Sequence, residues 1–114
     1  MDSCNLTEIP NPIFELRSLE TLSLDNNKLN EISHHIGELS SLKKLFLDGN
    51  QLTTLPDTIG NLLKLEILFL ERNLLENLPV SIKNLRSIKE IFLRNNLITD
   101  IPPYLSNMRN LIEI

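Results

Sequence analysis

Leucine and isoleucine recur along the chain in a pattern that restarts every 23 residues. When the sequence is written in rows, apolar residues fill the first, fourth, sixth, eleventh, fourteenth, eighteenth and twenty-first columns; the rows begin at Leu19, Leu42, Leu65, Ile88 and Leu111. The early part of each row has the form LxLxx, which is typical of a short strand with its leucines on one side. The later IxxL spacing is typical of a short helical turn. The pattern therefore predicts one strand and one helical segment in every row.

Two further columns carry turn chemistry. The ninth column is asparagine in every complete row, at Asn27, Asn50, Asn73 and Asn96. A sharp turn leaves backbone groups inside, and a side-chain amide can pair with them as both donor and acceptor. The fifteenth column is proline in three rows and Ser33 in the first, which favours the start of a helical segment there. Extending the rows backward puts Cys4 on the asparagine column, where we expect it on the core side of a loose first turn.

These signals predict the positions of the elements. Strands are expected near residues 20–24, 43–47, 66–70, 89–93 and 112–114, and helical segments around 34–40, 57–63, 80–86 and 103–109. A single row cannot bury its apolar face alone, so the rows must stack. The result is an α/β fold, a right-handed solenoid with a concave parallel β-sheet and short helical or 3₁₀ segments on the convex side. Leu68, in the fourth column of a central row, should be fully buried.

The consensus LxxLxLxxNxLxxLPxxIxxLxx resembles the leucine-rich repeat in its 23-residue intracellular form, and the resemblance covers the whole chain. It is similar to the repeats of Ras-binding scaffold proteins, of plant intracellular repeat proteins and of effectors secreted by intracellular bacteria. The resemblance implies a horseshoe segment that binds proteins, with scaffold and signalling roles. We expect a single domain over 1–114, made of a partial repeat 1–18, repeats 19–41, 42–64, 65–87 and 88–110, and the start of a fifth repeat at 111–114.

Composition narrows the class of partner and the compartment. The formal charge is −4 and no Lys/Arg cluster is present, which argues against nucleic acid and anionic membranes as partners. The N-terminus lacks a basic start followed by an apolar stretch, and no window reaches transmembrane length. One cysteine cannot form an internal disulfide. These features predict a cytoplasmic protein, and delivery into a host cell by an effector signal stays open.

The sequence offers little reaction chemistry. His34 and His35 are adjacent, and no cysteine or carboxylate completes a metal-ligand pattern with them, so we expect a solvated pair. Cys4 has no histidine at motif distance, and Gly49 stands alone in a turn rather than in a phosphate-binding pattern. We therefore predict no catalytic residues, no cofactor and no metal.

The fifth column, between the strand leucines, holds an unexpected set of aromatic residues. It contains Ser23, Phe46, Phe69 and Phe92, although this column should face water on the concave side. Charged residues flank it in the third column, at Lys44, Glu90 and Glu113 around Thr21 and Ile67, and in the seventh, at Asp2, Asp25, Asp48, Glu71 and Arg94. An apolar stripe rimmed by charge is typical of a protein-binding surface. The candidate partner-binding residues are Phe46, Phe69, Phe92, Lys44, Asp48, Ile67, Glu71, Arg72, Glu90 and Arg94. The alternative is that the rings only pack neighbouring strands together.

Three functional classes follow. The leading hypothesis is a non-enzymatic protein–protein interaction module that binds a protein partner on its concave face. The second is a structural repeat that self-associates, forming a homo-oligomer through its uncapped ends. The third is an enzyme, or the recognition part of a larger signalling or effector protein whose catalytic domain lies outside these residues.

Overall fold

The computed structural model describes all residues 1–114 and contains one five-stranded sheet in which every neighbouring pair is parallel. Consecutive strands are neighbours in the sheet. The strands are β1 (Thr21–Ser23), β2 (Lys44–Phe46), β3 (Ile67–Phe69), β4 (Glu90–Phe92) and β5 (Ile112–Glu113). This order confirms the predicted solenoid, because each repeat adds one strand beside the last.

The return segment of each repeat is a 3₁₀ helix. These helices span Asn11–Glu15, His34–Glu38, Asp57–Asn61, Val80–Asn84 and Pro103–Leu111. Proline precedes three of the four predicted helices, at Pro56, Pro79 and Pro102. In the first complete repeat Ser33 stands at this position and caps the helix. Its side chain accepts a hydrogen bond from the backbone N–H of His35 at 3.2 Å.

The core lies between the sheet and the 3₁₀ segments. It is one cluster of 28 buried apolar residues, and Leu68 is completely buried, as predicted. Stacking of equivalent leucines makes this cluster continuous along the solenoid. The concave side chains of the sheet are thereby held on a rigid support.

The asparagine column forms the expected ladder. Oδ1 of Asn73 accepts the backbone N–H of Leu52 at 3.1 Å. Its Nδ2 donates to the carbonyls of Leu47 and Leu70 at 2.9 and 3.1 Å. Asn50 and Asn96 repeat this pattern one repeat earlier and later. Each amide therefore joins two repeats and satisfies the turn between them.

The strand predicted at 112–114 is present as β5, but its register against β4 differs from the row pattern by two residues. The row pattern places Glu113 beside Glu90 in the third column and makes Ile114 the buried residue. In the structure Ile112 pairs with Ile91 and is buried, Glu113 pairs with Phe92, and Ile114 is 45% exposed. The long 3₁₀ segment preceding β5 shortens this repeat relative to the others. Because the shift is an even number of residues, Glu113 still lies on the concave face.

The first half-repeat also departs from its row. Cys4 was expected on the core side, but it is exposed, and its Sγ donates only to the carbonyl of Asp2 at 3.3 Å. Leu16 falls on the apolar twenty-first column when the rows are extended backward, but it is 48% exposed, while Phe14 is buried. The larger aromatic ring covers this end of the core in place of the leucine.

Candidate protein-binding face

Three phenylalanines form a stack on the concave face. The strand register places Phe46 beside Phe69 and Phe69 beside Phe92. The ring centroids are 4.3 and 5.1 Å apart, with interplanar angles of 6° and 10°. All three side chains are half-buried. We call Phe46, Phe69 and Phe92 the Phe stack; it presents apolar ring edges to solvent along the middle of the sheet.

The third-column residues lie beside the Phe stack. Lys44, Ile67 and Glu90 begin β2, β3 and β4 and pair with one another in register. Each lies two residues before a phenylalanine, so its side chain is on the same face of the sheet. Lys44 and Glu90 are exposed and Ile67 is half-buried. The structure thus brings these candidate residues together with the rings.

The seventh-column carboxylates on the other side of the Phe stack hold the turns together. Oδ1 of Asp25 accepts the backbone N–H of Asp48 at 2.8 Å, and Oδ1 of Asp48 accepts that of Glu71 at 2.7 Å. The sequence did not reveal this role. Partial burial raises the pKa of both aspartates above the ordinary value of 3.8, and neighbouring carboxylates add to the rise. Asp48 therefore has a structural role as well as a place at the rim.

Arg72 and Arg94 lie where the carboxylate series ends. The backbone N–H of Arg72 donates to the carbonyl of Arg94 at 2.9 Å, so the two residues are neighbours. Arg94 is 4.0 Å from Glu113, and Arg72 has no carboxylate within ion-pair distance. Arg72 acts on Asp25 and Asp48 at longer range, where its positive charge opposes the rise in their pKa. Both guanidinium groups are exposed at one rim of the Phe stack.

The backbone of the eighth column is left-handed in every repeat. The φ angles are 56° at Ser3, 58° at Asn26, 70° at Gly49, 56° at Arg72 and 62° at Asn95. Arginine disfavours this conformation more than glycine and asparagine do. The turn therefore presents Arg72 at a conformational cost.

Sequence reasoning missed two exposed leucines beyond this rim. Leu74 and Leu97 occupy the tenth column of adjacent repeats, where Lys28 and Gln51 stand earlier, and are 45% and 58% exposed. The sequence does contain a sign of them, because the tenth column changes from polar residues to leucine in these two repeats. These leucines add apolar surface near the charged rim of repeats three and four.

Side chains with possible reaction chemistry do not assemble into a site. His34 and His35 are exposed, their ring centroids 4.1 Å apart, and His35 hydrogen bonds to Glu38. That bond lowers the pKa of Glu38, with a smaller contribution from Arg17. No group of three or more histidine, cysteine or acidic side chains is arranged to hold a metal ion. None of the helices has the length and apolar character needed to span a bilayer.

Comparisons with known proteins agree with this architecture. The family model described as leucine rich repeat matches residues 1–52 and 40–98. A solved structure of a leucine-rich repeat protein from Leptospira interrogans is similar, with a TM-score of 0.91 and 37% sequence identity over 96% of this chain. The present chain spans 29% of the length of that protein. No curated protein matches the chain. The matched residues include the asparagine turns and most of the leucine core, and the chain belongs to the leucine-rich repeat family.

Proposed function

We propose that the chain is a non-enzymatic interaction module whose concave face binds a protein partner. Membership of the leucine-rich repeat family supports a protein-interaction repeat in general. The observation that carries the more specific proposal is the Phe stack, an apolar stripe on the concave side of the sheet with charge on both rims. Aromatic residues of this kind are enriched at the centres of protein interfaces, and charged residues at their rims.

The proposed site divides into a centre and two rims. Phe46, Phe69 and Phe92 are the anchors, with Ile67 beside them. Lys44 and Glu90 form one rim, and Asp48, Glu71, Arg72 and Arg94 form the other. The anchors supply most of the binding free energy, and the rims set orientation and association rate through charge complementarity. Asp48 contributes only its second carboxylate oxygen, because Oδ1 is engaged by Glu71.

The experiment that tests this proposal is the substitution Phe69→Ser. Serine already occupies the same column at Ser23, so the backbone accepts it. Removing the middle ring should weaken partner binding by about 2 kcal/mol or more. The loss of stability should remain below that of Leu68→Ala, because Phe69 is half-buried while Leu68 is fully buried. Thermal unfolding and capture of proteins from a cell extract measure the two effects on the same variant.

Leu63→Ser is the matched control on the convex side. Leu63 is 44% exposed, so this variant also removes an exposed apolar side chain, but away from the sheet. Capture by this control should equal that of the unmodified chain. If Phe69→Ser unfolds the domain, or leaves every captured protein unchanged, the Phe stack serves only strand packing and the proposal is wrong.

A second proposal concerns the larger context. The matched Leptospira protein is more than three times as long as the stretch that aligns, which favours this chain being the recognition part of a longer repeat array. The length of the native reading frame tests this directly, and it also tests whether a catalytic domain accompanies the repeats.

The proposed cytoplasmic location rests on the single free cysteine, and cell fractionation tests it. Size measurements on the full-length protein test whether it associates through the ends of the array.

A further inference from the structure

We propose that the concave face binds a second copy of this chain, with the two faces opposed and related by a two-fold axis that runs along the Phe stack. This inference rests on the proposed function and names the occupant of the same surface. It is argued from the arrangement of charge around the three rings. A rotation of 180° about this axis brings each repeat opposite the same repeat of the other copy, and the facing strands run antiparallel across the interface.

Under this rotation the third column of one copy faces the seventh column of the other, because both lie two residues from the phenylalanine. Lys44 then meets Asp48, and Glu90 meets Arg94. The second and eighth columns, three residues from the phenylalanine, meet in the same way, and Glu66 faces Arg72. All three pairs have opposite signs, and each occurs twice in the dimer. In the middle repeat Ile67 meets the aliphatic stem of Glu71.

The charge pattern distinguishes this arrangement from the other two-fold. An axis parallel to the strands would also oppose Lys44 to Glu90 and Asp48 to Arg94. It would, however, place Arg72 and Glu66 each against its own copy, and Lys43 against Lys89. Like charges facing one another disfavour association. The axis along the Phe stack opposes only Glu113 to its own copy, because Glu113 pairs with Phe92 and so continues the fifth column; Arg94 lies 4.0 Å from this carboxylate. We therefore assign the dimer to this axis, which has the fewer contacts between like charges.

The free chain leaves most of these charges available, although Glu66 already pairs with Lys89 at 3.4 Å. Lys44, Arg72 and Glu90 have no ion-pair partner within 4.0 Å, and Arg94 reaches Glu113 only at that limit. Burial raises the pKa of Asp48 by disfavouring its charged form, so a cation opposite this carboxylate would stabilise the charge. Sheets that pack face to face lie about 10 Å apart, a gap that one phenylalanine from each side fills. Each ring of the Phe stack then packs against its counterpart.

Two single substitutions and their mixture test the geometry. The unmodified chain should dimerise with a Kd of about 10–100 µM in sedimentation velocity, as expected of a small interface. Glu90→Arg opposes arginine to Arg94 on both sides of the axis, and Arg94→Glu opposes glutamate to Glu90. Each variant alone should dimerise at least about 10-fold more weakly. Mixed in equal amounts, the two variants should form a heterodimer of nearly native affinity, because both contacts are then between opposite charges.

Convex-side substitutions with the same change in net charge are the controls. Glu76→Arg matches Glu90→Arg, and Lys83→Glu matches Arg94→Glu; both positions are exposed and outside any ion pair. Neither should alter dimerisation, and circular dichroism should show all four variants folded.

Three results would overturn the inference. A chain that stays monomeric up to about 500 µM has no such dimer. If neither concave substitution changes the Kd of the dimer, the dimer uses another surface. A dimer that both substitutions weaken and the mixture does not restore has another geometry, including the axis parallel to the strands, under which mixing leaves like charges opposed. A monomeric chain would leave the proposed binding of another protein intact, because that is judged by Phe69→Ser in the capture experiment.

Discussion

At the scale of single residues, whether a side chain is buried depends on its position within the 23-residue row. Leu68 is completely buried in β3, with equivalent residues Leu45 and Ile91 on either side. Truncating it leaves a cavity that rigid neighbours cannot fill, so Leu68→Ala should reduce the free energy of unfolding by about 2–5 kcal/mol. Chemical denaturation measures the change. Thr54→Ala is the control, since Thr54 is exposed and makes no side-chain hydrogen bond, whereas Thr58 donates to the carbonyl of His34 at 2.6 Å.

A loss at Leu68 no greater than at Thr54 would show that the columns are assigned in the wrong register. The sequence was sufficient to predict the buried columns because leucine burial follows directly from apolar periodicity. It was insufficient for Asp48, whose hydrogen bond to Glu71 depends on the closeness of two turns in successive repeats. An aspartate in a polar column gives no sign of such a bond.

The carboxylate of Asp48 has opposing effects on stability. Its Oδ1 satisfies the N–H of Glu71, but its charge is partly buried beside other carboxylates, which raises its pKa above 3.8. The folded chain thus binds the proton more tightly than the unfolded chain, so this group favours folding below pH 3.8 and that contribution is lost as pH rises through the raised pKa.

Asp48→Asn should therefore melt at or above the temperature of the unmodified chain at neutral pH, because an amide oxygen still accepts the bond and carries no charge. This advantage should shrink as the pH falls toward 3.8. Asp48→Ala, which loses the acceptor, should be less stable by about 1–3 kcal/mol. Melting curves of the three proteins across pH measure these effects. If Asp48→Asn melted well below the unmodified chain at neutral pH, the negative charge itself, through Arg72, would be stabilising the turn.

At the scale of elements, the left-handed turn after each strand tolerates some residues better than others. Arg72 has a φ of 56°, a conformation that costs a side chain about 1–2 kcal/mol, while glycine loses about 0.5–1 kcal/mol through its freer unfolded state. Arg72→Gly should therefore stabilise the fold by about 0.5–1 kcal/mol. The reverse change, Gly49→Ala, should destabilise it by about 1 kcal/mol or more, because an alanine is strained at a φ of 70° and its added carbon also displaces the amide oxygen of Asn26.

Equilibrium unfolding of both variants measures these effects, and a destabilising Arg72→Gly would mean that the guanidinium's interaction with Asp25 and Asp48 outweighs the backbone strain. If Arg72→Gly is more stable and binds a partner less well, the strain at this turn is a cost of function.

The row pattern was sufficient to predict which segments form strands and which form helices, but it predicted their boundaries less well. Each of the first four strands is three residues long, not the five predicted, because the chain begins to turn at the sixth column even though Leu47 still donates to the carbonyl of Phe69 at 2.8 Å. The register of β5 was not predictable, since the row pattern contains no sign that the preceding 3₁₀ segment would run to Leu111. Phe14 illustrates the same limit, because which of several apolar residues covers an end depends on shape.

At the scale of the whole molecule, the solenoid is a one-dimensional array. Successive strands pair only with their neighbours, and successive 3₁₀ segments pack in the same sequence. The candidate binding face inherits this order, because the Phe stack and its rims are columns of the array rather than residues collected from distant loops. The composition of the face was therefore predictable from the row pattern, and its partner was not, since neither charge nor spacing alone identifies what lies opposite.

The array also predicts how substitutions combine. Ile36, Ile59 and Ile82 fill the eighteenth column of three successive repeats and are each completely buried. Each change to valine should cost about 0.5–1.5 kcal/mol. Because Ile59 and Ile82 lie on adjacent 3₁₀ segments, the cavities they leave share lining atoms, so the double variant should deviate from additivity by about 0.5 kcal/mol. Ile36 and Ile82 are separated by a whole repeat, and their double variant should be additive within about 0.3 kcal/mol. Denaturant unfolding of the singles and doubles measures both cycles, and equal coupling in the two would show that the repeats respond as one globular core rather than as a chain of neighbours.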